Sequence, residues 1–199
     1  MKVLFLDFDG VLNSHHSILF NKSQLKTKPK AGCATSPNEA DLQWMLDHID
    51  ERLAWNLKFV TEKCLDLKFV ISSTWRKMYS LDRFTEVFRQ LGFRDNLILG
   101  VTPLVVPAQA PGAGEYVPRI AHINAWRKDN QFMWSDCVIL DDHSVAPNCE
   151  GTKWLPEEPE WVERFVQTDQ RDGFTYARAW DVLDLLMGHD GWKAPIIMM

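Results

Sequence analysis

Short apolar runs alternate along the chain with longer segments of helical period. Five runs read as strands: Lys2 to Phe8, Lys68 to Ser72, Asn96 to Val101, Cys137 to Leu140 and Arg164 to Thr168. Three of them, Val3-Leu4-Phe5-Leu6, Phe69-Val70-Ile71 and Cys137-Val138-Ile139-Leu140, are continuously apolar, as in strands covered on both faces. Between them, Ser36-Pro37-Asn38-Glu39 is a helix start, with a serine N-cap, proline at N1 and glutamate at N3. Leu42, Trp44, Met45, Leu46 and Ile49 continue it as an apolar stripe, and a second helix runs from Glu51 to Cys64. Trp44 and Trp55 are expected in the core. Ser80 caps a helix from Leu81 to Leu91 that stops at Gly92. Further helices are expected at Arg119 to Asp129 and, capped by Thr175, at Tyr176 to Met187. Asn13 to Ser36, Thr102 to Pro118 and the acidic, proline-broken stretch Glu157 to Glu163 read as loops.

Strands alternating with helices imply an α/β fold with a parallel five-stranded sheet. Right-handed crossovers would bring every strand's carboxyl end to one edge, where such sheets hold ligands. The first strand ends in Asp7-Phe8-Asp9-Gly10; the strand period of two would turn both acids the same way if the strand ran straight, and Gly10 allows a sharp turn after it. The second ends in Ser73-Thr74-Trp75-Arg76, whose hydroxyls and cation suit phosphate oxygens. The fourth ends in Asp141-Asp142. Arg119 stands in a helix's first turn, where the dipole disfavours a cation, and so signals another task. So many carboxylates need a cation, and oxygen ligands at this density suit Mg²⁺.

At 199 residues the chain fits one domain, 1–199, with a flap insert at 13–36 and a tail at 188–199. A net charge of −5 argues against non-specific coating of nucleic acid. The charge is uneven, however: no Asp or Glu lies between Asp9 and Glu39, while Lys22, Lys26, Lys28 and Lys30 do. That stretch is either a solvated loop or a flap attracting an anion. Cys33, Cys64, Cys137 and Cys149 lack metal-ligand spacing and read as free thiols, pointing to the cytoplasm. No signal peptide or membrane span is expected.

With its Asp7-Phe8-Asp9-Gly10-Val11 motif and its Asp141-Asp142 pair, the chain resembles phosphatases of the haloacid dehalogenase (HAD) superfamily. The resemblance implies a three-layer Rossmann-like fold. It makes Asp7 the nucleophile and Asp9 the general acid/base. Ser73, or Ser72 in a register shifted by one, with Thr74, Arg76 and Arg119, would hold the phosphate. Asp7, Asp9 through its carbonyl, Asp141 and Asp142 would hold Mg²⁺. Ser72-Ser73-Thr74-Trp75-Arg76, Gly100-Val101-Thr102-Pro103 and the late Gly173-Phe174-Thr175 resemble the small HAD domains associated with RNA repair and polynucleotide phosphatase modules. The inserts after the first and third strands are too short for a separate cap domain, so the site should be open. The expected activity is phosphomonoester hydrolysis through an aspartyl-phosphate, with nucleic acid 3′ or 5′ ends among the substrates. The alternatives are a nucleotide or other small-molecule phosphatase, or a non-catalytic HAD-fold binding module. No obligate protein partner and no membrane partner are expected.

Overall fold

The computed structural model describes residues 1–19, 37–105, 117–146 and 154–188. Its elements are β1 (Lys2–Leu6), α1 (Pro37–Asp47), α2 (Glu51–Lys63), β2 (Leu67–Ile71), α3 (Leu81–Gln90), β3 (Ile98–Val101), α4 (Arg119–Asp129), β4 (Cys137–Asp141), β5 (Phe165–Gln167) and α5 (Tyr176–Met187). The strands form one parallel sheet in the order β3-β2-β1-β4-β5. The chain builds outward from β1 to β3, then crosses back to place β4 on β1's other side. The crevice at that reversal lies between the carboxyl ends of β1 and β4.

Continuous apolar strands are explained by the two cores they separate. Leu4, Leu6, Phe69, Ile71, Val138 and Leu140 face a core shared with α1, α2, α3 and α5. Val3, Phe5, Val70, Cys137 and Ile139 face the opposite one, built on Ile120, Ile123 and Trp126 of α4. The fold is therefore the expected three-layer α/β architecture. No helix among the described residues is long and apolar enough to cross a membrane.

Several local expectations change. β1 stops at Leu6, because Phe8 begins a turn: the N–H groups of Val11, Leu12 and Asn13 all donate to the Phe8 carbonyl. Residues 15–19 are helical where a loop is expected. Ser14 and Ser17 explain this by capping each other, each hydroxyl accepting from the other's backbone N–H, at 3.1 and 2.7 Å. The acidic stretch near Glu160 forms a 3₁₀ helix, Pro159–Arg164, and Thr74–Lys77 forms another. Trp55 is 63% exposed and Trp44 is 40% exposed, so neither is a core residue. Trp44 instead stacks on His48, with ring centroids 3.9 Å apart. Cys64 and Cys137 are free and buried, and burial pushes their thiols up to about 11 and about 12. The flap lysines, Cys33, Cys149, the Ser36 cap and the tail beyond Gly188 lie outside the described residues.

These two tryptophan corrections predict a contrast in stability. Trp55→Ala should change the free energy of unfolding by no more than about 0.5 kcal/mol. Removing the fully buried Phe84 side chain in Phe84→Ala should cost about 3–5 kcal/mol. Urea unfolding of the two variants checks both values.

Candidate active site

Strand register sets the site. Leu6 pairs with Leu140 on one side and with Ile71 on the other. The Asp7 N–H donates to the Leu140 carbonyl at 3.1 Å, and the Ser72 N–H donates to the Leu6 carbonyl at 2.8 Å. Asp7 and Asp141 therefore arrive side by side, and Ser73, two residues beyond Ile71, joins them through its side chain. Asp142 follows directly, and α4 delivers Arg119 from its first position.

Asp7, Asp141 and Asp142 are all buried, and one carboxylate oxygen from each lies within 4.8 Å of the others. The Arg119 guanidinium bridges two of them. Its Nη1 contacts Asp7 Oδ2 and donates to Asp141 Oδ2 at 2.7 Å. The Phe8 N–H donates to Asp7 Oδ1 at 2.8 Å, and the Ser73 side chain also hydrogen-bonds Asp7. Ser73, rather than Ser72, is thus the hydroxyl on Asp7; the Ser72 Oγ is buried with no hydrogen-bond partner among the described residues.

Burial raises the Asp7 carboxyl above its ordinary range, opposed by Arg119, Ser73 and the Phe8 N–H. Asp141 is pushed up to about 8, first by burial and then by the charge of Asp7, against the pull of Arg119. Burial would lower Arg119, but Asp7 and Asp141 outweigh it and hold the guanidinium above its usual value. Three buried carboxylates cannot all ionise against one bridging cation alone, so the group favours either protons or a further cation. These residues fit a hard, oxygen-preferring metal ion, which Asp7, Asp141 and Asp142 could hold.

Asp9 does not share this cluster. The chain turns after Leu6, Gly10 adopts φ +69°, and the Asp9 side chain is exposed. The strand period therefore does not set the direction of Asp9, because β1 ends at Leu6 and the turn that Gly10 is expected to allow follows it. Asp9 Oδ2 accepts from the indole Nε1 of Trp75 at 3.0 Å, and its Oδ1 accepts from Asn13 Nδ2 at 3.0 Å. Gly10 also makes room for Asp142: a Cβ there would lie 2.3 Å from Asp142 Oδ2.

Arg76 is half-buried beside Asp7 and Arg119. It donates from Nη1 to the Ser73 carbonyl at 2.6 Å and from Nε to the Thr102 carbonyl at 3.1 Å. Burial and then Arg119 lower its pKa. Thr74 is exposed at the start of the 3₁₀ turn.

The sequence did not reveal the side chains that brace these groups. Asn13 accepts from the Gly10 N–H at 2.9 Å while donating to Asp9. Thr168 Oγ1 donates to the Gly10 carbonyl at 2.7 Å. Gln170 Nε2 donates to Asp142 Oδ2 at 2.8 Å. Asn13 stood four residues after Asp9 and could have been flagged, whereas Gln170 lies in a loop with no distinguishing pattern.

A buried carboxylate beside a guanidinium and a hydroxyl, with an exposed carboxylate two residues on, is an arrangement suited to attack on phosphorus. No curated protein matches the chain. Among solved structures, a haloacid dehalogenase-like family hydrolase from Streptococcus pneumoniae is similar at 11% identity and a TM-score of 0.40, over 93% of this chain and 90% of that one. That likeness is too distant to bear on the assignment. The family model for the HAD domain in Swiss Army Knife RNA repair proteins matches residues 3–179, which span both aspartate motifs, Ser73 and Arg119. The chain belongs to that family of HAD domains.

Proposed function

We propose that the chain is a Mg²⁺-dependent phosphomonoesterase acting through an aspartyl-phosphate on Asp7, and that its substrate is a nucleic acid bearing a 3′- or 5′-terminal phosphate. The observation that carries the reading is the division of labour between buried Asp7, tied to Arg119 and Ser73, and exposed Asp9. The family's description as a domain of RNA repair proteins supports a nucleic acid substrate. So does the gathering of Arg76 and Arg119 at Asp7 in a chain of net charge −5.

In the first step an Asp7 carboxylate oxygen attacks phosphorus. The bond from phosphorus to the leaving oxygen breaks with its electron pair, and that oxygen takes the proton of the Asp9 carboxyl. In the second step the Asp9 carboxylate takes a proton from water as the water oxygen attacks the aspartyl-phosphate. The bond between phosphorus and Asp7 breaks, releasing phosphate and restoring both residues. Ser73, Arg119 and Arg76 stabilise the phosphoryl oxygens, where charge accumulates. Mg²⁺, held by Asp7, Asp141, Asp142 and the Asp9 carbonyl, would neutralise the carboxylates and polarise a phosphoryl oxygen.

Phosphate release tests the reading. Oligonucleotides phosphorylated at either end should be hydrolysed with Mg²⁺ and not with chelator, and Asp7→Asn should lose at least about a thousandfold in rate. Preference for mononucleotides would overturn the substrate, and turnover by Asp7→Asn would overturn the mechanism.

With Asp141 raised to about 8, the metal-free folded chain binds more protons than the unfolded chain between the ordinary carboxyl pKa and that value. This group's contribution is therefore present at low pH and lost as pH rises through about 8. Mg²⁺ replaces the protons, so its effect on Tm should be small near pH ~5 and grow towards pH ~8. A Mg²⁺ effect that does not grow across this window contradicts the metal site.

A further inference from the structure

Both oxygens of Asp9 are held, one by Asn13 Nδ2 and one by the indole N–H of Trp75, each at 3.0 Å. Trp75 cannot easily turn away from this bond. It is 3% exposed, its ring stacks on Phe8 with centroids 4.8 Å apart and planes at 24°, and Trp44 packs against it at 5.2 Å. Its backbone is fixed as well, because its N–H donates to the Ser73 hydroxyl at 3.3 Å, and Ser73 is the residue that also touches Asp7. The indole has a single polar atom, which it directs at the one site carboxylate that remains open to solvent. Asp9 lines a cleft of about 240 Å³ together with Gly10, Asn13 and Asp142. A rigid aromatic wall thus connects the Asp7 hydroxyl partner to the Asp9 carboxyl.

We propose that Trp75 is a positioning residue for proton transfer. Its N–H fixes the plane of the Asp9 carboxyl so that the proton-bearing oxygen meets the leaving oxygen of the ester. This rests on the phosphatase reading above and uses the same two steps: the proton leaves Asp9 as the phosphorus–oxygen bond breaks, and returns from water in the second step. Trp75 itself neither gains nor loses a proton. The role differs from packing in one measurable way. An alkoxide leaving group needs the proton of a general acid, whereas 4-nitrophenolate leaves readily without it. Misdirecting Asp9 therefore slows the first step selectively for alkyl esters, while the second step, shared by both esters, slows equally and a general distortion of the site slows the first step of both.

The test compares an oligonucleotide with a terminal phosphate and 4-nitrophenyl phosphate, with Mg²⁺, in Trp75→Phe, Asp9→Asn and the double variant. Trp75→Phe should lower kcat/KM, which reports the first step, by about 10- to 100-fold on the oligonucleotide and by less than about threefold on the nitrophenyl ester. In the Asp9→Asn background Trp75→Phe should cost nothing further, because the group it positions is gone. If Trp75→Phe fails to fold, 3-benzothienylalanine at position 75, which keeps the fused rings and exchanges the N–H for sulfur, should give the same selectivity. Equal losses in kcat/KM on both esters, no loss on either, or a further loss in the Asp9→Asn background would overturn the proposal and leave the phosphatase reading standing. A wild-type protein inert on both esters would overturn the phosphatase reading, and this proposal with it.

Discussion

Three buried carboxylates meet a single bridging guanidinium at the ends of two neighbouring parallel strands, and the site depends on that imbalance. Burial raises Asp7 and Asp141, and Arg119 opposes the rise without cancelling it. Such a cluster tolerates full ionisation only with more positive charge, whether a metal ion or protons supply it. The sheet makes the imbalance unavoidable. The pairing of Leu6 with Leu140 brings the residues that follow them together, and both strands are covered on both faces, so neither acid can swing into water.

Around this fixed centre, the two carboxylates of the first motif differ in how they are held. Asp7 is locked by Arg119, Ser73 and the Phe8 N–H. Asp9 sits beyond the strand end, on a turn that Gly10 permits, and is held by Asn13 and Trp75 while staying exposed. Two carboxylates two residues apart thus occupy different environments, the usual means by which one acts as a nucleophile and the other as a proton carrier.

Much of this was legible in the sequence. The three continuous apolar runs identified central strands, and the acids and hydroxyls ending them identified one edge of a parallel sheet, because topology alone brings those ends together. Arg119 was legible because a cation in a helix's first turn opposes the dipole, and the contacts with Asp7 and Asp141 supply the reason. Gly10 signalled the turn, but the strand was extended past Leu6 into a segment governed by the Phe8 carbonyl, which local pattern does not mark. Trp44 and Trp55 were misjudged because apolar spacing marks a helix face but not how far the neighbouring layer extends over it. Gln170 and Thr168 were invisible: they reach the site from the loop after β5, and local pattern says nothing about contacts made across the sheet.

The covalent step is the centre of the account, and trapping it is the most direct test. The protein would be acid-quenched during turnover of a phosphorylated oligonucleotide with Mg²⁺, reduced with borohydride and mapped by peptide mass spectrometry. Modification confined to Asp7 is the predicted result. Steady turnover with no modified carboxylate, or modification at Asp9, Asp141 or Asp142 instead, would contradict it.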